Sequence, residues 1–216
     1  MGSTRDVMNG LRRLALALAL AQAGIAGSSA EEPERPAAAP ERSAAELMDA
    51  VMWNREPIGG PFRLVDHTGR PRTDADFRGK LLLVYFGFTY CPDVCPTDLQ
   101  AIGLALDRLG PAAEAVQPLF ITVDPERDTP QVLADYVPMF HPRLIGLSGD
   151  AAAVRQAARA YRVYYAKVPA GEGYTVDHSG FIYLMDRAGH YVGFFPPGTP
   201  ADRMIDAIRP LVEGAH

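Results

Sequence analysis

Residues 80–98 read KLLLVYFGFTYCPDVCPTD, and this stretch decides the fold class. The run from Lys80 to Phe88 is almost continuously apolar, which is typical of a strand buried on both faces of a sheet. Apolar residues then recur at helical spacing from Pro96 to Leu109, so a helix is predicted directly after Cys95. In α/β proteins a site commonly lies where a buried strand ends and a helix begins. The stretch therefore predicts an α/β fold with a site around its cysteines.

The sequence on both sides continues the alternation of strands and helices. Phe62-Arg-Leu-Val followed by the turn Asp66-His67-Thr68-Gly69 predicts an opening hairpin, and Val116 to Val123 predicts a second buried strand. The other predicted elements are a helix from Thr129, a short strand at 144–147, a helix at 150–161 capped by Asp150, an extended segment at 163–168, a loop at 169–173, a hairpin of strands at 181–185 and 191–195, and a closing helix at 200–212. This order predicts a central mixed sheet flanked by helices, with an N-terminal hairpin.

The first 59 residues are predicted to lie outside the folded domain. Residues 1–30 have a basic start at Arg12 and Arg13, an apolar stretch at 14–26 and small residues at 28–30, as a signal peptide has. The apolar stretch is shorter than the roughly 18–20 residues that span a bilayer, which favours cleavage over an anchor at residues 12–27. Residues 31–59 read as a Pro/Ala-rich tether and a short helix, and residues 60–213 as the domain. The protein is thus expected to be exported to the periplasm, soluble or anchored to the inner membrane.

Charge and cysteine content restrict the function. The 216-residue chain has a formal net charge of −5, which argues against a nucleic-acid partner because phosphate binding needs a basic surface. Cys91 and Cys95 are the only two cysteines, and a disulfide between them would close too short a loop to staple the fold effectively. The pair is therefore interpreted as redox-active or metal-binding rather than as two inert core residues. A common zinc pattern is absent, and a thioredoxin-type pair would have two intervening residues instead of three.

Three motifs resemble those of the Sco/SenC family of copper chaperones: FGFTYCPDVCP at 86–96, VDPERDTP at 123–130 and VDHSG at 176–180. The resemblance extends from about Gly60 to Arg209. It implies a thioredoxin-like fold and one copper ion per chain, Cu(I) or Cu(II), bound by Cys91, Cys95 and His178. It also implies delivery of copper to the dinuclear copper site of cytochrome c oxidase, reduction of the recipient cysteines, or both. The implied partners are the subunit that carries that site or another copper protein, and a thioredoxin-like reductant.

The other histidines are assigned no metal role; they are His67, His141, His190 and His216. Asp124 and Asp128 follow the second buried strand and are expected either to orient the site or to present charge to a partner. A further interpretation is that Asp128 or Thr129 caps the following helix, beside an exposed Arg127. Asp93, between the two cysteines, is left with the same alternatives.

Two enzymatic alternatives remain open from the sequence. Val94-Cys95-Pro96-Thr97-Asp98 resembles the active-site segment of peroxiredoxins, but Pro92 stands where that family has Thr or Ser. A thiol–disulfide oxidoreductase without bound metal is the second alternative.

Overall fold

The structure is a computed structural model that describes residues 58–214. The predicted leader, the tether at 31–57 and its short helix lie outside the described residues. Within them the strands are β1 Arg63–Asp66, β2 Pro71–Thr73, β3 Leu81–Gly87, β4 Val116–Thr122, β5 Ile145–Ser148, β6 Tyr165–Ala170, β7 Gly173–His178, β8 Ile182–Met185 and β9 Tyr191–Phe195. The α-helices are α1 Val94–Leu109, α2 Pro130–Tyr136, α3 Ala151–Ala160 and α4 Ala201–Glu213, and short 3-10 helices occur at Asp74–Phe77, Gly110–Ala115 and Val137–Met139.

A seven-stranded mixed sheet forms the centre of the described domain, in the order β2-β1-β5-β4-β3-β8-β9. Strand β3 pairs in parallel with β4 and antiparallel with β8, and β4 pairs in parallel with β5. All seven residues of β3 are buried, as the apolar run predicts. The predicted α/β architecture, with a mixed sheet flanked by helices, is confirmed.

The helices pack on this sheet and on each other. Helix α1 contacts α4, while α2 contacts β5 and α3 contacts β1. The predicted cap of α3 is present, because Asp150 Oδ1 accepts from Ala153 N at 2.7 Å. Within residues 58–214, none of the helices combines the length and the apolar character needed to cross a bilayer.

The predicted opening hairpin is strands β1 and β2, and the buried Asp66 closes its turn. Asp66 accepts hydrogen bonds from Thr68 N and Oγ1, from Arg70 N and from Arg72 Nε. Burial alone would raise the pKa of Asp66, but the hydrogen bonds from Thr68, Arg72 and Arg70 outweigh it and hold that pKa well below its ordinary value.

The segment before His178 differs from the sequence prediction. Residues 169–173 were expected to be a loop, whereas Pro169 and Ala170 end β6 and Gly173 begins β7, so only two residues form the turn. Proline is tolerated in this position because β6 lies in a two-stranded sheet separate from the central one, where its missing N–H can face solvent. His178 is therefore the last residue of a strand and does not follow a loop.

Candidate metal centre

The two cysteines lie at the junction of β3 and α1. Cys95 is completely buried in the first turn of α1, while Cys91 precedes the helix in a turn and is half-buried. The two cysteines do not share one helical turn, because Asp93, which lies between them, has φ −140° and ψ −81° and α1 begins only at Val94. A turn in which Cys91 N donates to Phe88 O at 3.2 Å brings Cys91 to the site instead.

His178 reaches the cysteines from the end of β7. Its Nε2 lies 3.3 Å from Cys95 Sγ, and its Nδ1 lies 3.2 Å from the carbonyl oxygen of Ser179. A ring proton on Nδ1 satisfies this carbonyl and leaves the Nε2 lone pair directed at the sulfur. The rings of Tyr85 and Phe88 meet the imidazole edge to face, at centroid distances of 6.3 and 5.8 Å, and fix its orientation.

The ligand atoms of Cys91, Cys95 and His178 all lie within 4.8 Å of one another. Metal bonds of about 2.0–2.3 Å to nitrogen and sulfur place two donors up to about 4.6 Å apart on one ion, so the three can converge on a single ion with a small adjustment. Two sulfurs and one imidazole nitrogen form a soft donor set that suits Cu(I). The geometry and the chemistry of these side chains therefore fit one copper ion.

The two sulfurs differ in protonation. A hydrogen bond from Cys95 is the main reason that the pKa of Cys91 is lowered to about 3, and the same contact, together with burial, raises the pKa of Cys95. At neutral pH the pair thus holds a thiolate on the half-buried Cys91 and a thiol on the buried Cys95. Burial is the largest cause of the raised pKa of Tyr85, whose phenol therefore stays protonated beside the pair.

Asp128 lies beneath the cysteine turn. It accepts from Thr89 N at 3.0 Å, from Thr89 Oγ1 at 2.6 Å and from Thr122 Oγ1 at 2.7 Å, and burial raises its pKa. Thr129, rather than Asp128, supplies the cap of α2, since Thr129 Oγ1 accepts from Val132 N. Of the two residues expected to cap this helix, Thr129 is confirmed and Asp128 is not the cap. The hydrogen bonds of Asp128 fix the position of Thr89, which lies two residues before Cys91.

Asp124 and Arg127 contact the hairpin that carries His178. The Arg127 Nε donates to the buried Asp124 Oδ2, Arg127 Nη1 donates to the Tyr174 carbonyl at 3.0 Å, and the Tyr174 hydroxyl donates to Asp124 Oδ1 at 2.8 Å. Arg127 was expected to be exposed as the alternative to a functional role, but its side chain is only 24% exposed. Asp93 is exposed, and its carbonyl oxygen accepts from Thr97.

The remaining described histidines make structural contacts. His67 Nδ1 accepts from Gly146 N at 3.1 Å, His141 Nδ1 accepts from Arg143 N at 3.1 Å, and His190 pairs with Asp186 in a turn. None of these three belongs to the cluster of metal-binding side chains found in the described part of the chain.

Sequence reasoning missed the roles of Tyr174, Thr89 and Tyr85. The signal for Tyr174 was present: residues 174, 176 and 178 alternate along β7 and share one face, which is the face that meets the site. The segment was not identified as a strand, so this alternation went unused. Thr89 and Tyr85 contact groups that are distant in sequence, which no local pattern reveals.

Comparison with known proteins gives consistent results. The family model described as SCO1/SenC matches residues 51–213. The mitochondrial SCO2 homologue of Bos taurus is 42% identical over 205 residues, which cover 93% of this chain and 75% of that protein. Mitochondrial SCO1 of Saccharomyces cerevisiae is 40% identical over 168 residues, or 74% of this chain and 57% of that protein, so the chain spans well under two thirds of the yeast relative.

Solved structures give the same match. ScoI of Bradyrhizobium japonicum with copper bound superposes with a TM-score of 0.67 and 44% identity, covering 71% of this chain and 99% of that one. Yeast Sco1 with copper bound superposes with a TM-score of 0.68 and 41% identity, covering 74% and 91%. The thioredoxin-like fold expected from the resemblance is confirmed by these matches and by the mixed sheet.

Proposed function

The chain belongs to the SCO1/SenC family, and from that premise we propose that it is a copper chaperone for assembly of the dinuclear copper site of cytochrome c oxidase. The observation that carries the proposal is the convergence of Cys91, Cys95 and His178 within 4.8 Å. In this function copper is cargo: the protein binds it, carries it and passes it to a recipient.

The unequal burial of the ligands supports a direction for the transfer. Cys95 is fully buried, whereas Cys91 and His178 are each partly accessible. A recipient thiolate therefore reaches the ion from the side of Cys91 and His178, and these bonds exchange before the bond to Cys95. The low pKa of Cys91 assists this exchange, because the released sulfur leaves as a stable thiolate.

Reduction of the recipient cysteines is a second candidate function, favoured by the same asymmetry. A thiolate on the accessible Cys91 attacks a disulfide of the recipient and forms a mixed disulfide. Cys95 then loses its proton and attacks the sulfur of Cys91, which releases the recipient as a dithiol and leaves a Cys91–Cys95 disulfide. Two electrons pass to the recipient, and a thioredoxin-like dithiol must return them. A peroxidase centred on Cys95 is disfavoured because that sulfur is buried away from solvent.

Family membership indicates the cellular compartment of the protein less specifically than it indicates the function. Curated relatives such as SCO2 of Bos taurus are mitochondrial proteins. We propose that this chain acts in the periplasm, that residues 1–30 are a cleaved signal peptide, and that residues 60–213 form its functional domain. Mature protein isolated from its host should then begin near Glu31. Recovery of an intact Met1 terminus in the membrane fraction would favour the anchor at residues 12–27.

Copper reconstitution tests the function. Fully reduced protein should bind one Cu(I) per chain, and X-ray absorption should show two sulfurs and one nitrogen around the metal. Oxidation to the Cys91–Cys95 disulfide should abolish binding, and reductant should restore it, since binding needs both sulfurs. A ratio near two ions per chain, oxygen ligands alone, or equal binding before and after reduction would refute the assignment.

A further inference from the structure

The hairpin β6–β7, which delivers His178, has no backbone pairing with the central sheet in the described domain. Two-stranded hairpins are marginally stable on their own, so contacts with the rest of the protein must fix its position. One such contact is apolar: Val176, on the same face as His178, is buried in the core. Tyr165 and Tyr174 also pack against the core, but both are only partly buried, so polar contacts contribute to fixing the orientation of the hairpin.

The polar contacts of the hairpin converge on the segment that follows β4. Arg127 bridges two partners at once, since its Nε donates to Asp124 and its Nη1 to the Tyr174 carbonyl. The Tyr174 hydroxyl closes the triangle by donating to Asp124, and the Arg127 guanidinium lies 4.0 Å from the centre of the Tyr174 ring. Lys167 in β6 lies 4.4 Å from the same ring and pairs with Glu126 at 2.7 Å.

The other end of this segment contacts the turn that precedes Cys91. Asp128, next to Arg127, is hydrogen-bonded to Thr89, two residues before Cys91. One short piece of chain thus contacts both halves of the site. The Asp128 carboxylate is buried and its contact with Thr89 is partly buried, while the contact with Tyr174 is carried by the longer arginine side chain.

We propose that Arg127 is a positioning residue of the metal centre: with Asp124 it clamps Tyr174 and so keeps the hairpin oriented with His178 beside Cys91 and Cys95. This inference rests on the proposed copper function for its consequence, but the clamp itself exists without metal. Loss of the clamp would free the histidine to move. The Arg127 guanidinium also lies 4.8 Å from the centre of the Tyr90 ring and 5.8 Å from that of Phe88, so the turn before Cys91 would be loosened as well. Both sulfurs remain on the chain, and the effect should therefore resemble a partial loss of His178 and not the removal of a cysteine.

The chain offers a closely matched control for Arg127. Arg72 also pairs through Nε with a buried aspartate, Asp66, at 2.8 Å, and its side chain is 29% exposed against 24% for Arg127. Its partner is 3% exposed, against 0% for Asp124. The Arg72 pair lies in the opening hairpin β1–β2. Arg127→Gln and Arg72→Gln should thus cost similar stability, while only the first should disturb the site.

Hydrogen exchange of the reduced, metal-free protein is the first measurement. In Arg127→Gln the protected amides at 165–178 should exchange about tenfold faster than in the wild type, which corresponds to about 1.4 kcal/mol of lost contact. In Arg72→Gln the acceleration should be confined to β1–β2. Unchanged exchange at 165–178 in Arg127→Gln, or equal acceleration there in both variants, would overturn the clamp. If Arg127→Gln does not fold, Tyr174→Phe removes only the hydroxyl bond to Asp124 and is held to the same expectation.

The second measurement is the thiolate-to-copper absorption of the Cu(II) form. In Arg127→Gln the band should shift towards that of His178→Ala, whereas Arg72→Gln should keep the wild-type band. Faster exchange at 165–178 with an unchanged band would overturn the positioning role. A wild-type protein that binds neither Cu(I) nor Cu(II) would refute the proposed function, and the exchange experiment would still decide whether the clamp exists.

Discussion

Gly87, the last residue of β3, packs directly against Cys95 of the candidate metal centre. A Cβ at this position would lie 3.0 Å from Cys95 Sγ, 3.0 Å from Phe120 Cε2 and 3.0 Å from Tyr85 Cε1. Favourable contacts between such atoms are about 3.5–4.0 Å long. Each neighbour would therefore have to retreat by about half an ångström, and all three are completely buried. Gly87→Ala is accordingly predicted to overpack this point and to displace the sulfur.

The backbone does not cause this penalty. Gly87 is absent from the described residues with positive φ and lies in a regular strand, so alanine can adopt its conformation. Replacing glycine by alanine at a compatible position stabilises a protein by about 0.4–1 kcal/mol through the unfolded chain. Overpacking a core costs about 1–3 kcal/mol, and therefore outweighs that gain at most values in its range. For a domain of this size each kcal/mol lowers Tm by about 2–4 °C.

Gly193 provides the matched control. It lies in β9, and a Cβ there would meet nothing within 4 Å. Gly193→Ala should thus be neutral or slightly stabilising and should leave copper binding unchanged. Thermal unfolding of both variants, with Cu(I) competition and Cu(II) absorption, gives the comparison. Equal Tm values and equal copper spectra in Gly87→Ala and Gly193→Ala would refute the packing argument.

Three further predictions concern the ligands and the buried carboxylates. His178→Ala should abolish or strongly alter the thiolate-to-Cu(II) band while Cu(I) binding is weakened but retained, and His67→Ala should change neither; paired titrations showing the reverse would contradict the ligand assignment. The pKa of Asp66 is lowered by folding, so its contribution to stability is present above about pH 4 and is lost as the pH falls below that value. Urea unfolding midpoints measured at a series of pH values should therefore show the wild type losing stability between pH 5 and pH 2 more steeply than Asp66→Asn. Parallel profiles of the two proteins would contradict this. Asp128→Ala should cost about 2–5 kcal/mol in urea unfolding because buried donors lose their acceptor, whereas Asp128→Asn should cost less; equal losses would contradict the network.

The sequence predicts the parts of this fold that depend on local pattern. The apolar run of β3 and the helical spacing of α1 identify both elements and place Cys95 at their junction. The predictions of β3 and α1 hold because burial on both faces of a strand and amphipathicity of a helix leave direct traces in the residue order. His178 is indicated by the family motif and not by periodicity, and its Nε2 lies 3.3 Å from Cys95 Sγ in the structure.

The hairpin β6–β7 could not be predicted with the same certainty, for a physical reason. Pro169 and the glycines at 171 and 173 are turn residues by composition, and the strands around them are largely exposed, so the apolar alternation is weak. What fixes the hairpin is contact across the fold: Arg127 and Tyr174 are 47 residues apart. No local signal reports such a pair.

The position of the hairpin β6–β7, which the sequence predicts only weakly, has a consequence for copper transfer. Two donors are built into the junction of β3 and α1, where Cys95 is buried and Asp128 holds the turn that leads to Cys91. The third donor arrives on a hairpin that, within residues 58–214, has no ladder hydrogen bonds to the central sheet. Since an ion must be bound tightly in transit and given up on delivery, a site of two fixed sulfurs and one movable nitrogen can change its affinity through the hairpin alone. The polar contacts around Tyr174 then set how much free energy that change requires.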